Sequence, residues 1–257
     1  MSVTIQPTGI VIKSTEEIAS MRRAGHVVAK MIEAVSKEIR PGVTTADLDA
    51  VAYQTCKSLG AKPGFKGYHG YPATICTSVN NEIVHGIPNA KKVLKEGDIV
   101  SIDVGAIVDG FNGDAARTLP VGKVTPLAEK LMRVTKESLD EGIKQAKAKN
   151  RMGDIGAAIQ KHAESNGFSI VREYVGHGIG RLLHEEPAVP NYGEAGKGMV
   201  LPKSLCIAIE PMVNVGSWET RVLDDKWTVV TRDGSLSAHF EDTLVITDGQ
   251  PEVLTRL

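Results

Sequence analysis

Ile99-Val-Ser-Ile-Asp-Val-Gly-Ala-Ile-Val108, then Asp109-Gly110, then Phe111-Asn-Gly-Asp-Ala-Ala-Arg-Thr-Leu-Pro-Val121, is the stretch whose reading decides the fold. An Asp-Gly pair between two apolar runs specifies a hairpin, because both central residues of a type I′ turn need positive φ. With Asp109 and Gly110 in the turn, Val108 faces Phe111, Asp103 faces Ala116 and Asp114 faces Gly105. Side chains alternate along a strand, so Asp103 and Asp114 share one face, diagonally across the pair and roughly 5–8 Å apart. The other positions on that stretch are apolar or small. Two carboxylates so placed repel, and both stay ionised only with a cation between them.

The surrounding chain sets the limits. Its 257 residues are enough to bury a sizeable core, and no low-complexity or Ser/Pro-rich linker divides them, so residues 1–257 are expected to form a single domain. A net charge of −1 leaves no electrostatic footprint for nucleic acid or an anionic membrane. No run of about 18 apolar residues is present, which argues against a membrane span. The start, Met1-Ser-Val-Thr-Ile-Gln-Pro7, lacks the basic-then-apolar pattern of a secretory signal. Cys56, Cys76 and Cys206 are odd in number and widely spaced, forming neither a disulfide framework nor a zinc pattern. A reducing, cytoplasmic setting is therefore expected.

Local signals order the rest. Ser14-Thr-Glu-Glu17 is a capping box opening a helix with Ile18, Met21, Val28, Ile32 and Val35 as its buried stripe, and Pro41-Gly42 ends it near Arg40. A second helix starts at Thr44 or Thr45 and runs to Gly60. Gly60 to Pro72 holds too many glycines for regular structure and reads as a surface loop of the kind that carries binding. Ala73–Val79 reads as a strand, Asn80-Asn81 as a turn and Glu82–His85 as a short return. Thr125 caps a long helix with Pro126 at its first position, ending near Lys147. A further helix runs from about Asp154 to Asn166, closed by Gly167. Phe168–Glu173, Leu205–Val213 and Ser237–Thr247 read as strands, and Tyr174–Arg181 as a second glycine-rich loop. Two helices followed by strands, twice over, suggests two similar halves, although no clear sequence repeat supports it.

Two more acids stand inside apolar strands, Glu210 in Leu-Cys-Ile-Ala-Ile-Glu-Pro and Glu241 in Ala-His-Phe-Glu-Asp-Thr-Leu-Val-Ile. Buried acids need a cation or a donor. Asp103, Asp114, Glu210 and Glu241 together carry four negative charges, which two divalent ions would neutralise, with His177 as a nitrogen ligand. Such a pair of ions activates a bridging water for hydrolysis. Carboxylates with one imidazole suit Mn, Fe, Co or Zn, and ligand type does not choose among them.

The order and flanks of these residues resemble a known family. His85-Gly-Ile-Pro88, Ser101-Ile-Asp-Val-Gly105, Gly113-Asp-Ala-Ala-Arg-Thr118, Gly176-His-Gly-Ile-Gly180, His184-Glu-Glu-Pro187, Ile209-Glu-Pro211 and Phe240-Glu-Asp-Thr243 are similar to the motifs of type I methionine aminopeptidases. The resemblance runs from about Ile12 to Thr247. It implies the α/β (α+β) pita-bread fold, two pseudo-symmetric halves around a curved antiparallel sheet flanked by helices. It also implies roles: Asp103 on one metal, His177 and Glu210 on the other, and Asp114 and Glu241 bridging both. His85 and His184 would contact the peptide and stabilise the tetrahedral intermediate. Phe65, Tyr68, Tyr71, Cys76, Leu183 and Trp227 would wall the methionine side chain, apolar or aromatic in keeping with an unbranched thioether. The expected activity is removal of N-terminal methionine from nascent polypeptides when the next residue is small. The ribosome is a further candidate partner, and the chain is expected to act as a monomer without nucleic-acid specificity or membrane attachment. On this reading its own Met1-Ser2 start is a suitable substrate.

Two positions depart from the family pattern. His239 stands where glutamine is common, and Asp242 follows Glu241 where histidine is common. Sharing a strand face with Glu241, His239 is placed to tune the metals. Two alternatives stay open: an aminopeptidase P or prolidase, enzymes that carry a separate N-terminal domain for which this chain leaves no room, and a non-catalytic protein-binding module of the same fold. Such modules lose metal ligands, and all five are present here.

Overall fold

In the computed structural model, which describes residues 9–257 and the backbone of residues 4 and 5, Asp109 and Gly110 take φ of 51° and 78°. The Met1-Ser2 start lies outside the described residues. The turn joins strands Ile99–Val108 and Phe111–Pro120 in the register the turn chemistry dictates, Asp103 opposite Ala116 and Gly105 opposite Asp114. This hairpin is the middle of a nine-stranded antiparallel sheet. On the side of Phe111–Pro120 follow Glu241–Val245, Cys206–Ile209, Gly176–Gly178 and Glu185–Val189. On the other side, Ile75–Val79 and Lys62–Pro63 pair with Ile99–Val108.

Four helices cover one side of it: α1 (Thr15–Ser36), α2 (Thr45–Ser58), α3 (Pro126–Gln145) and α4 (Met152–Ser165). The expected caps hold, with Ser14 and Glu17 closing the box of α1 and Thr125 accepting from the Ala128 N–H of α3. Gly167 leaves α4 at φ 85°. Alternation along the hairpin sends Val100, Ile102, Val104 and Ala106 into a core with α1 and α2. Ile207, Ile209, Leu244 and Ile246 build a second core with α3 and α4. Helix pair plus strands thus occurs twice about the sheet, as the two expected halves. The opposite side chains, Asp103 among them, point away from the helices.

Three strand expectations need correction. Leu205–Val213 is two strands, Cys206–Ile209 and Met212–Asn214, because Pro211 has no N–H for a ladder and the chain changes sheets there. Ser237–Thr247 breaks likewise at Phe240, between Ser237–His239 and Glu241–Val245. Of Phe168–Glu173 only Ser169–Ile170 is strand. The glycine-rich Tyr174–Arg181 contains a central strand, Gly176–Gly178. Its glycines serve close approach rather than turning: a Cβ at Gly176 would lie 2.3 Å from the Ala208 carbonyl oxygen, and one at Gly178 would lie 2.2 Å from that of Glu186.

Helix α1 meets the hairpin as closely. A Cβ on Gly25 would stand 2.3 Å from the Leu254 carbonyl oxygen, and one on Gly113 would stand 2.8 Å from the Gly25 nitrogen. Backbone on both sides cannot yield as a flexible side chain would. Gly25→Ala is expected to cost about 1–3 kcal/mol by overpacking, lowering Tm by about 3–10 °C. A thermal melt of the variant that matches the parent would show that α1 can ride away from the sheet.

Candidate metal centre

The strand registers assemble the acids. Asp103, Ala116 and Glu241 lie in one row across three strands, and continuing the ladder one residue past Ile209–Asp242 brings Glu210 opposite Glu241. Two residues along the strands, on the same face, lies the row of Gly105, Asp114, Thr243, Ala208 and His177. The Thr243 hydroxyl donates to the Asp114 carbonyl at 2.8 Å and accepts from the Asp114 N–H at 3.2 Å, fixing that aspartate's backbone. Five candidate ligands, four on strands and Glu210 one residue past the end of a fifth, thus meet on the helix-free side.

Their surroundings are dry. Asp114 and Glu241 are 4 % and 2 % exposed and His177 is buried. Ligand atoms of Asp114, His177 and Glu241 all lie within 4.8 Å of one another. His177 Nε2 is 3.6 Å from Glu210 Oε1 and 3.9 Å from Asp114 Oδ2. Nδ1 of His177 is 2.9 Å from the Gly178 carbonyl oxygen. A carbonyl only accepts, so Nδ1 carries the hydrogen and Nε2 turns a lone pair toward the acids. Burial also pulls the His177 imidazole down to about 3, as does neighbouring His184, so the ring is neutral and these contacts are not ion pairs. Burial raises Asp103, Asp114, Glu210 and Glu241 well above the usual carboxylate range, and their neighbours push Asp114, Glu210 and Glu241 further.

Asp103 Oδ1, Asp114 Oδ1 and Glu241 Oε1 are buried without a hydrogen-bond partner among the described residues. Unsatisfied carboxylate oxygens converging on an imidazole lone pair fit divalent cations, which would satisfy all of them at once.

All thirteen residues nominated from the sequence line one cavity of about 120 Å³, and no other described residue lines it. Asp103, Asp114, His177, Glu210 and Glu241 form its floor, with His85 and His184 at its sides. His85 sits at φ 60°, and burial, then His184, pulls its imidazole down to about 4. The His184 ring packs edge-on at 4.2 Å from that of His177, with Nδ1 2.6 Å from the Tyr68 hydroxyl. The Tyr71 hydroxyl reaches the carbonyls of Ile75 and Gly86 at 3.1 Å each, which leaves its ring, edge-on to Trp227, as apolar wall. Phe65 lies against Gly105, where a Cβ would come within 2.4 Å of its ring. Leu183 is buried, and burial raises the Cys76 thiol, which stays neutral.

The two departures from the family pattern separate. Asp242, one residue past Glu241, points to the helix side and is fully buried there. It accepts from Arg117 at 2.6 Å, Thr255 at 2.8 Å and Arg256 at 2.8 Å, so it anchors the end of the chain rather than the cavity floor. His239 is buried with neither ring nitrogen hydrogen-bonded among the described residues, its Nε2 3.8 Å from Glu210 Oε2. Sequence reasoning missed Tyr174, whose ring stands edge-on 5.9 Å from that of His85. It also missed the buried Lys13–Glu185 pair at 2.5 Å, which ties the segment leading into α1 to the one carrying His184. Neither residue has a local signal, since the Lys13 contact spans 172 positions.

Comparison with known proteins gives a consistent result. Residues 19–248 match the model of metallopeptidase family M24. A methionine aminopeptidase of Clostridium acetobutylicum is 51 % identical over 246 residues, covering 96 % of this chain and 98 % of that protein. The crystal structure of a methionine aminopeptidase from Thermotoga maritima superposes with a TM-score of 0.95 at 50 % identity, covering 96 % of this chain and all of that one. A prolidase from Pyrococcus furiosus, 24 % identical, shares the fold with a TM-score of 0.80 over 98 % of this chain and 67 % of its own.

Proposed function

From the premise that the chain belongs to metallopeptidase family M24, and within it to the methionine aminopeptidases, we propose that it removes N-terminal methionine from nascent polypeptides whose second residue is small. One observation carries the reading. A cavity walled by apolar and aromatic side chains ends on four carboxylates and an imidazole lone pair, with buried oxygens left unsatisfied. Residues 1–257 act as one domain, which the family match across both halves supports.

In this reading Asp103, Asp114, His177, Glu210 and Glu241 would hold two divalent ions between them, Asp103 on the side of one, His177 and Glu210 on the side of the other, with Asp114 and Glu241 serving both. When bound, the ions supply Lewis acidity and an activated water for peptide hydrolysis. The chain's own residues do the rest. Phe65, Tyr68, Tyr71, Cys76, Leu183 and Trp227 take the methionine side chain and seat the peptide carbonyl over the acids. His85 and His184 donate to its oxygen as negative charge develops there. The second residue is small in this reading, as membership among the methionine aminopeptidases implies. The cytosol is the expected compartment, in keeping with three free, buried cysteines, and nascent chains at the ribosome are the expected source of substrate.

A Met-Ala-Ser peptide should yield free methionine and Ala-Ser; cleavage confined to bonds preceding proline would reject the reading in favour of a prolidase-like one. Substitution separates ligands from helpers. Glu210→Gln exchanges a charged ligand for a neutral amide and should weaken metal binding about 10–100-fold by calorimetric titration. His85→Ala and His184→Ala should keep their metal and lose about 100-fold or more in kcat. Loss of metal from His184→Ala would place that residue among the ligands instead.

A further inference from the structure

We infer that Tyr68 is a positioning residue that holds His184 with its proton on Nε2, so that this nitrogen donates to the substrate's carbonyl oxygen; the inference rests on the function proposed above. The Tyr68 hydroxyl and His184 Nδ1 are 2.6 Å apart, and among the described residues the phenol has no other hydrogen-bonding partner. A phenol can donate or accept, as can a neutral imidazole nitrogen, so the direction has to be decided on geometry. Between uncharged partners such as a phenol and a neutral imidazole, separations near 2.6 Å belong to O–H donors, whereas uncharged N–H donors sit about 2.9 Å from their acceptors. The N–H contacts of this protein that are equally short involve a charged group. The hydroxyl therefore donates, Nδ1 accepts, and the ring's hydrogen resides on Nε2.

His177, in edge contact with the same ring, is held in the opposite tautomer. Its Nδ1 donates to the Gly178 carbonyl, and its Nε2 lone pair is free for a metal. Two adjacent imidazoles thus receive opposite duties from the groups behind them, a carbonyl for the ligand and a phenol for the donor. This gives the glycine-rich loop a specific task. Gly67 and Gly70, both at φ 89°, fold the backbone tightly around Tyr68. Hydrogen bonds from Tyr68 N–H to the Phe65 carbonyl and from Gly67 N–H to that of Tyr71 lock the turn. The His69 ring then packs edge-on at 4.4 Å against the phenol. A residue of the first half so held fixes a side chain 116 positions away in the second.

The test is nitrogen-15 NMR of the histidine rings in the zinc-loaded and metal-free protein, with His184 identified by the signals missing from His184→Ala. The wild type should show His184 protonated at Nε2, its Nδ1 shifted as a hydrogen-bond acceptor. In Tyr68→Phe the Nδ1 signal should move to the unbonded position, and kcat for Met-Ala-Ser should fall about tenfold while KM changes less than about twofold, because the ring still walls the pocket. A His184 protonated at Nδ1 in the wild type overturns the inference, and that result stands even if the variant fails to fold. An unmoved Nδ1 signal or an unchanged kcat in Tyr68→Phe overturns it as well. Failure of the proposed function would show separately, as absence of methionine release by the wild-type protein whatever its tautomer.

Discussion

Chelation is expected to lower aminopeptidase activity by at least about 100-fold, and a divalent transition metal to restore it. The reason lies in the cavity floor. Asp103, Asp114, Glu210 and Glu241 sit where burial, and for the last three the neighbouring acids as well, holds their carboxyls well above the ordinary range. Without ions they keep protons, since four unscreened charges at this spacing would repel by several kcal/mol. Binding of metal at neutral pH must then release protons, which calorimetry in buffers of different ionisation enthalpy would count. The same shift predicts a stability trend for the metal-free protein. Folded carboxyls with raised pKa bind more protons than unfolded ones, so the contribution of these four is fully present below the unfolded value of about 4 and is lost as pH rises through the raised folded values. Saturating metal should remove or reverse that slope. Glu241→Gln, at the most buried of these positions, should reproduce the loss without chelator. Full turnover in excess chelator, by protein in which elemental analysis finds no metal, would end the two-metal reading.

Selection at the first residue is the second large effect. The walls offer a thioether six apolar or aromatic neighbours, and their polar ends are engaged elsewhere. The Tyr71 hydroxyl is bound to backbone carbonyls and the Tyr68 hydroxyl to His184, while burial keeps Cys76 an uncharged thiol. A lysine side chain in that slot would bury an ammonium among groups whose polar ends are engaged and beside acids committed to the metal ions, at a cost of several kcal/mol. Met-Ala-Ser should therefore be cleaved with a kcat/KM about 1000-fold or more above that of Lys-Ala-Ser, a ratio that corresponds to about 4 kcal/mol. Met-Lys peptides should also be poor, since the proposed activity requires a small second residue. Competition of two peptides in one reaction, read by mass spectrometry, measures the ratio directly. Comparable rates for the two would mean that the pocket finds an acceptor for the ammonium, and methionine specificity would have to be given up.

Much of this was legible without coordinates because it is local. Asp109-Gly110 dictates positive φ at both positions, the turn dictates the register, and the register puts Asp103 and Asp114 on one face. Ser14, Glu17 and Thr125 mark helix starts because their side chains close hydrogen bonds within one turn. Family motifs then supplied the remaining cavity residues, each of which lines the same space. What the local signals misjudged were the strands bearing the glutamates. A continuous apolar run conceals the change of sheet at Pro211 and Phe240, since burial on either side of the break looks alike in composition. Gly176-His-Gly178 read as loop because glycine has two uses, positive φ and close backbone approach, and only the neighbouring strand reveals which applies.

The sequence by itself determined the hairpin, the helix caps and the shared face of Asp103 and Asp114. Tertiary structure alone decided the partners: which histidine turns a lone pair inward, that Tyr68 stands behind His184, that Lys13 grips Glu185, and that Asp242 serves Arg117 and Arg256 on the helix side. Turn and cap preferences arise from steric and hydrogen-bond demands within a few residues, so composition encodes them. A side chain's partner across 100 or more positions depends on how two separately formed halves meet along one sheet, and nothing in its own neighbourhood specifies that.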